Sequence, residues 1–312
     1  MTAAAGDAPV IIGIVGDSAA GKTTMAAGLA RVLGTHRTVN ICVDDYHKYS
    51  RAERAVNGLS PHDPACNYMD ILEQHVELLR AGQPILKPTY NHNGGVLEAP
   101  EYVEPKEFII LEGLLGYATP SLRQAYDVKF YLEPQVDLRL RWKFQRDTGP
   151  GGYAVDQVMA SLDRLNKDSD EFVIPQRSYA DMVVSFFPPD DLPEETGSRL
   201  NVRHILRPTL PHLDLSPMLK VGATCGMMLE LARDIDGRPV DRLEIAGTVS
   251  EVEAATGEDY LWSLIPDAPE DRPRLGVFHD GQDVEHVSHS LAMSQLLITH
   301  YLVHAALGQT AI

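Results

Sequence analysis

The chain is poor in cysteine, in long apolar runs and in basic charge, and each shortage excludes something. Its 312 residues carry 3 cysteines, Cys42, Cys66 and Cys225. An odd, scattered set is no disulfide framework, and a reducing cytoplasm is the expected setting. No stretch approaches the ~20 consecutive apolar residues that cross a bilayer, so no membrane partner is expected. Lys and Arg number 27 against 44 Asp and Glu, a formal charge of -17. Gripping a nucleic-acid backbone requires a basic face, so nucleic acid is not an expected partner either. A basic n-region is missing ahead of Val10-Ile11-Ile12, which therefore reads as a core strand and not a signal peptide. There is no internal repeat and no low-complexity tract.

What is present is an apolar content of 44% spread over a chain longer than a single core usually needs. From residue 8 to 190, strand-like and helix-like segments alternate. Val10 to Val15, Thr38 to Val43, Phe108 to Leu111, Val128 to Leu132 and Met182 to Phe187 read as strands. Thr24 to Leu33, Ile71 to Leu79, Asp137 to Arg146 and Val155 to Leu165 read as helices. This alternation predicts an α/β fold with a mostly parallel sheet flanked by helices. The proline-rich acidic stretch Pro188 to Glu195 suggests a boundary, giving a core over 1–190 and a smaller α+β region over 198–312. In the latter, Leu200 to Leu206 and Leu243 to Val249 read as strands. Val284 to Leu307, apolar at Val284, Val287, Leu291, Leu297, Tyr301 and Leu302, reads as an amphipathic helix.

The first strand runs into Gly16-Asp17-Ser18-Ala19-Ala20-Gly21-Lys22-Thr23, followed by Thr24 and a helix. The pattern G-x-x-x-x-G-K-[ST] between a strand and a helix is a phosphate cradle, or P-loop. Its glycines let backbone N–H groups point inward, the helix start adds positive potential, Lys22 reaches phosphate oxygens and Thr23 can ligate Mg²⁺. The third strand ends Leu111-Glu112-Gly113, and an acid at the C-terminal end of a parallel strand lies beside the nucleotide crevice. Glu112 is thus a candidate magnesium acid. The second strand ends Val43-Asp44-Asp45-Tyr46-His47; its paired carboxylates offer a general base and a further metal contact. Lys48, Arg51 and Arg54 follow, a basic cluster suited to an anionic acceptor or else a solvated loop. Lys87-Pro88-Thr89-Tyr90-Asn91-His92 collects polyol-binding groups in one short loop. Lys143 and Arg146, at i and i+3 on one helix face, are candidate lid contacts for phosphoryl charge. The i, i+4 pair His300 and His304 lacks a third ligand and reads as helix-surface or interface residues.

Together these segments resemble the phosphoribulokinase/uridine kinase family of P-loop kinases. The likeness runs from the P-loop to about Phe187 and is carried by Asp44-Asp45-Tyr46-His47, His62-Asp63-Pro64, Tyr90-Asn91-His92, Glu112-Gly113-Leu114, Lys143 to Asp147 and Tyr179-Ala180-Asp181. The resemblance implies ATP and Mg²⁺ as cofactors, Asp44 as general base, and Glu112, Thr23 and Asp44 at the metal. It implies His47, Arg51, Tyr90 and His92 at a sugar phosphate, with Arg54 of the basic cluster and Lys143 of the basic helix segment as further substrate-binding candidates, and Arg146 closing over the phosphates beside Lys22. Transfer to the 1-hydroxyl of ribulose 5-phosphate and a homodimer are what the family leads one to expect. The chain departs from the pattern in three places. Ala20 stands where light-regulated members have a P-loop cysteine, so their active-site disulfide is not available. Leu115 replaces a histidine, and Thr148-Gly149-Pro150-Gly151 lacks an arginine linked to sugar-phosphate binding. The alternatives are a related kinase for another sugar phosphate or a nucleoside such as uridine, and an ATP-binding regulatory homologue with an altered acceptor site.

Overall fold

The structure is a computed structural model that describes residues 8–306 apart from 93, 150–154, 157, 159–165, 212, 220–225, 267 and 270. Most of the helix expected at Val155 to Leu165 and also Cys225 lie outside the described residues.

The strands are β1 Val10–Gly16, β2 Thr38–Cys42, β3 Ile85–Asn91, β4 Val96–Val103, β5 Phe108–Gly113, β6 Val128–Leu132, β7 Met182–Phe187, β8 Asn201–Leu206, β9 Met227–Arg233 and β10 Pro239–Ile245. Eight of them form one sheet in the order β2-β5-β1-β6-β7-β8-β10-β9. β2, β5, β1, β6 and β7 are mutually parallel, while β8, β10 and β9 continue the sheet antiparallel. Strand-like pieces of the 198–312 region therefore extend the sheet of the first region. The last of them sits earlier than its sequence pattern suggests, ending at Ile245 and not Val249, and β9 was not anticipated.

β1 shows why a continuous β-branched run makes a central strand. Val10, Ile12 and Ile14 face one apolar cluster and Ile11 and Val15 the other, all of them buried. Each such aliphatic side chain contributes roughly 1.5–3 kcal/mol by leaving water, which favours a position covered on both faces. The first cluster is roofed by α1, Lys22–Leu33, and by the C-terminal helix His289–Ala306; the second by α3, Met69–Arg80.

The C-terminal helix corrects the sequence reading twice. It begins at His289, after a short strand Glu285–Val287, and it is not amphipathic in its setting: every residue from Ser290 to Leu302 is buried. Gln295 fits over Gly28 of α1, where an added Cβ would come within 2.0 Å of its Nε2. His300 is likewise buried, and its Nδ1 donates to the Leu264 carbonyl at 3.1 Å, so it is a core residue and not a surface one.

Two further elements replace expected loops. Ser50 and Glu53 form a reciprocal capping box that starts α2, Arg51–Asn57. Lys87 to Asn91 lies in β3, which pairs antiparallel with β4, with only His92 at the hairpin tip. The remaining helices near the site are α4, Pro120–Ala125, and α5, Val136–Asp147.

Candidate active site

The order of strands reverses its direction of growth at β1, and the loop from Gly16 to Thr23 leaves from its C-terminal end, the place where open α/β sheets bind ligands. Ala19 and Gly21 take positive φ, 63° and 86°, to turn the loop tightly. Gly21 has open space where a Cβ would stand, so its requirement is conformational. The Lys22 ammonium donates to the Asp17 carbonyl at 3.0 Å, folding back across the loop. Thr23 donates its hydroxyl to Glu112 Oε1 at 2.9 Å. Burial pushes the Glu112 carboxyl above the ordinary carboxylate range, against the pull of Lys22 and with the push of Asp44. A threonine hydroxyl and a carboxylate in contact at the mouth of the loop are a hard-oxygen donor pair, the chemistry that suits Mg²⁺.

One residue at this end was missed. Arg139 of α5 pairs with Asp17 at 2.9 Å and donates to the Ser18 carbonyl at 3.4 Å. Ser169 donates to the same Asp17 carboxylate at 2.8 Å. Arg139, Lys143 and Arg146 are spaced i, i+4 and i+7, so the helix signal extended one turn further than the pair considered. Arg146 reaches Ser18 Oγ at 3.1 Å and Asp147 at 2.8 Å. Lys143 is buried and holds Asp147 at 2.9 Å. Burial lowers the Lys143 pKa, although Asp147 opposes it.

The paired carboxylates of the second strand end part company. Asp44 Oδ1 accepts the Leu114 N–H at 2.9 Å, two residues past Glu112, and the carboxylate is only half-buried. Gly113 makes that approach possible, because a Cβ there would meet Asp44 Oδ1 at 2.9 Å and Val43 Cβ at 2.7 Å. Asp45 is buried instead; it pairs with Lys87 and accepts the Tyr90 N–H at 3.2 Å. Lys87, which stood among the polyol-binding candidates, thus fastens β3 to the end of β2.

Beside Asp44 the aromatic and basic residues converge on His47 and Tyr90. His47 Nδ1 donates to Asn67 Oδ1 at 2.6 Å, an amide oriented by its own donations to Pro61 and Asp63 carbonyls. That fixes the tautomer and leaves Nε2 as an acceptor. Burial lowers the His47 pKa, with Asp44 opposing. The Tyr90 ring lies edge-on to His47 at 4.9 Å and to His92 at 5.1 Å. Arg54 is buried, donating to the Tyr90 hydroxyl and to the Tyr49 carbonyl, both at 2.8 Å. Arg51 donates to the His92 carbonyl at 2.5 Å. Leu115 is buried with Leu114 and Val173. Tyr179-Ala180-Asp181 serves the sheet: Asp181 accepts the Lys129 N–H at 2.8 Å and pairs with its ammonium at 3.2 Å. Of the segment expected to lack an arginine, Pro150 and Gly151 lie outside the described residues.

Comparison with known proteins gives a consistent outcome. The family model described as Phosphoribulokinase / Uridine kinase family matches residues 11–193. The phosphoribulokinase of Synechocystis sp. is 31% identical over 236 residues, covering 76% of this chain and 68% of that one. The chloroplastic phosphoribulokinase of Mesembryanthemum crystallinum is 32% identical, covering 66% and 56%. The uridine kinase of Latilactobacillus sakei is 33% identical, covering 57% and 85%. The chain thus spans between 56% and 68% of the length of these two phosphoribulokinases. The solved phosphoribulokinase from Rhodobacter spheroides superposes with a TM-score of 0.59 at 19% identity, covering 81% of this chain and 94% of that one, which shows a shared fold.

Proposed function

The chain belongs to the phosphoribulokinase/uridine kinase family, and from that premise we propose that it transfers the γ-phosphoryl group of ATP to the 1-hydroxyl of ribulose 5-phosphate. The observation that carries the reading is the position of Asp44. Its carboxylate stands one strand away from the Thr23–Glu112 pair, anchored by a backbone N–H and close enough to His47 to oppose the lowering of its pKa, and His47 in turn packs edge-on against Tyr90.

Phosphoryl transfer asks little covalent chemistry of a protein; it asks for alignment and for charge to meet charge. ATP phosphates settle in the Gly16 to Thr23 loop, against its N–H groups and the start of α1. Lys22 exchanges the Asp17 carbonyl for phosphate oxygens, and Arg146 supplies a second cation from α5. Thr23 and Glu112, with Asp44 near them, would hold Mg²⁺, which when bound neutralises phosphate charge. Asp44 accepts the proton of the attacking hydroxyl, its unbonded oxygen serving as the base. His47, neutral and with Nε2 open, accepts from a substrate hydroxyl, while Tyr90 and His92 line the same wall. Arg51 and Arg54 bring positive charge to the substrate phosphate; Arg54 also fixes the Tyr90 phenol. Lys143 keeps Asp147 and so Arg146 in place.

Uridine, the rival acceptor, requires an open aromatic face for its base. The Arg54 guanidinium lies 5.1 Å from the centroid of the Tyr90 ring, occupying one face. That arrangement favours a charged, hydroxylated acceptor over a flat one. The test is a coupled ADP-release assay with ribulose 5-phosphate, other pentose phosphates and uridine compared at matched concentrations. Turnover highest with ribulose 5-phosphate is expected; equal or better turnover with any of the others removes it as the substrate.

A further inference from the structure

Next to the hard-oxygen pair at Thr23 and Glu112 lies a cluster of different chemistry. Cys42 ends β2, Asp45 follows in the turn Val43–Tyr46, and His92 is at the tip of the β3–β4 hairpin. A sulfur, a carboxylate oxygen and an imidazole nitrogen of these three residues all lie within 4.8 Å of one another. We propose that Cys42, Asp45 and His92 form a second cation site that takes Zn²⁺ in preference to Mg²⁺ and blocks the acceptor side of the crevice when filled.

The donor set decides the metal. Thiolate, imidazole and carboxylate are the usual zinc ligands, whereas magnesium takes oxygen and holds its waters. Zinc–sulfur and zinc–nitrogen bonds of about 2.3 and 2.0 Å place neighbouring ligand atoms of a tetrahedral site somewhat closer than the present separation. The required contraction falls on His92, whose side chain is exposed while its carbonyl is tied to Arg51 at 2.5 Å. Asp45 is less free, being paired with Lys87, but Lys87 has Glu101 at 3.5 Å as an alternative partner. The Cys42 thiol is free; burial first, and then the nearby Asp44, Glu112 and Asp45 carboxylates, push its pKa well up, and a dication at the site would offset that negative field. As the Zn–S bond forms, the thiol proton leaves to water; no oxidant or reductant is involved. Three protein ligands leave the fourth position to water, which is an exchangeable and not a structural arrangement.

A filled site would tie the end of β2 to the hairpin tip and immobilise His92, one of the residues proposed above to line the acceptor wall. The blocking part of the inference rests on that reading; the binding part does not, and the test separates them. Full-length protein is titrated with Co²⁺ in the presence of excess Mg²⁺, reading thiolate-to-cobalt charge-transfer absorption in the near ultraviolet, and with Zn²⁺ as competitor. One equivalent of Co²⁺ should give the band. Cys42→Ser and Cys42→Ala should abolish it, His92→Ala should weaken affinity by at least about tenfold, and Cys66→Ser should leave it intact. Absence of the band, or its survival in both Cys42 variants, overturns the site. In the kinase assay Zn²⁺ should raise the apparent KM for the acceptor in wild type and not in Cys42→Ser. Equal inhibition of the two overturns the blocking role. Failure of ribulose 5-phosphate to react at all would instead count against the substrate, with the cobalt result standing by itself.

Discussion

The two halves of the crevice are built in opposite ways. The donor half is one contiguous loop of eight residues, Gly16 to Thr23, set between a strand buried on both faces and a helix packed on the core. The acceptor half is assembled from pieces: the turn after β2, α2, the Asn67 turn and the β3–β4 hairpin. Polar contacts hold those pieces, chiefly Asp45 to Lys87, His47 to Asn67 and Arg54 to Tyr90. A backbone cradle tolerates side-chain change, because its ligands are N–H groups. A site of tethered side chains can change specificity at one tether, and that is where members of one family can diverge in acceptor.

The comparison can be broken most severely at its two reactive groups. Asp44→Asn should reduce kcat on the order of 10²–10⁴-fold while ATP binding, read by calorimetry, stays intact. Lys22→Ala should reduce kcat by a similar order and weaken ATP binding as well. An active Asp44→Asn enzyme would remove the base; unaltered ATP affinity and turnover in Lys22→Ala would remove the cradle.

Next in size are the tethers. Lys87→Met leaves Asp45 buried and unpaired, and should cost about 3–5 kcal/mol in chemical denaturation. Pairing it with Asp45→Asn should recover much of that loss, which a purely steric effect of the methionine would not allow. Outside both halves, Asp234 offers a control. Burial opposes its charge, but hydrogen bonds from Arg177 and Arg207 hold its carboxyl well below the ordinary range. A depressed folded-state pKa contributes stability above the unfolded value, about 3.9, and loses it as pH falls below that value. Asp234→Asn should therefore lower stability at pH 7 by about 3–5 kcal/mol. The gap from wild type should narrow below about pH 4, with ATP affinity per folded molecule unchanged. A gap that persists unchanged in acid would assign the loss to packing. The smallest effect expected is Arg51→Ala, on the order of tenfold in acceptor KM with little change for ATP.

The same contrast explains what could be read from the sequence. β1, β5, the P-loop and Glu112 follow from an apolar run and a fixed motif, both local in the chain. Asp44 was visible as a strand-end acid, but its difference from Asp45 was not, because the distinction depends on Lys87, 42 positions away. Lys87 looked like a substrate group, since composition does not say which cations are spent on internal partners. Arg139 lies on the same face as Lys143, but its partner Asp17 stands far earlier in the chain, so the pairing is not a local signal. The Ser50-x-x-Glu53 capping box was a legible signal for α2 that went unused. The terminal helix was misjudged for another reason. Its Ser290, Ser294, Gln295 and Thr299 mimic a polar face, yet each is buried, with Ser290 donating to the Leu200 carbonyl, Gln295 accepting the Gly276 N–H, and Ser294 and Thr299 donating to carbonyls of their own helix.

In the proposed reaction the acceptor half presents a pentulose phosphate to Asp44. Phosphorus NMR of the reaction with ATP and ribulose 5-phosphate tests it most directly. A second phosphate ester, at carbon 1, should appear in step with ADP and be absent with Asp44→Asn. ADP formed without that ester, or a phosphorylated nucleoside as the favoured product when uridine is supplied alongside, would contradict it.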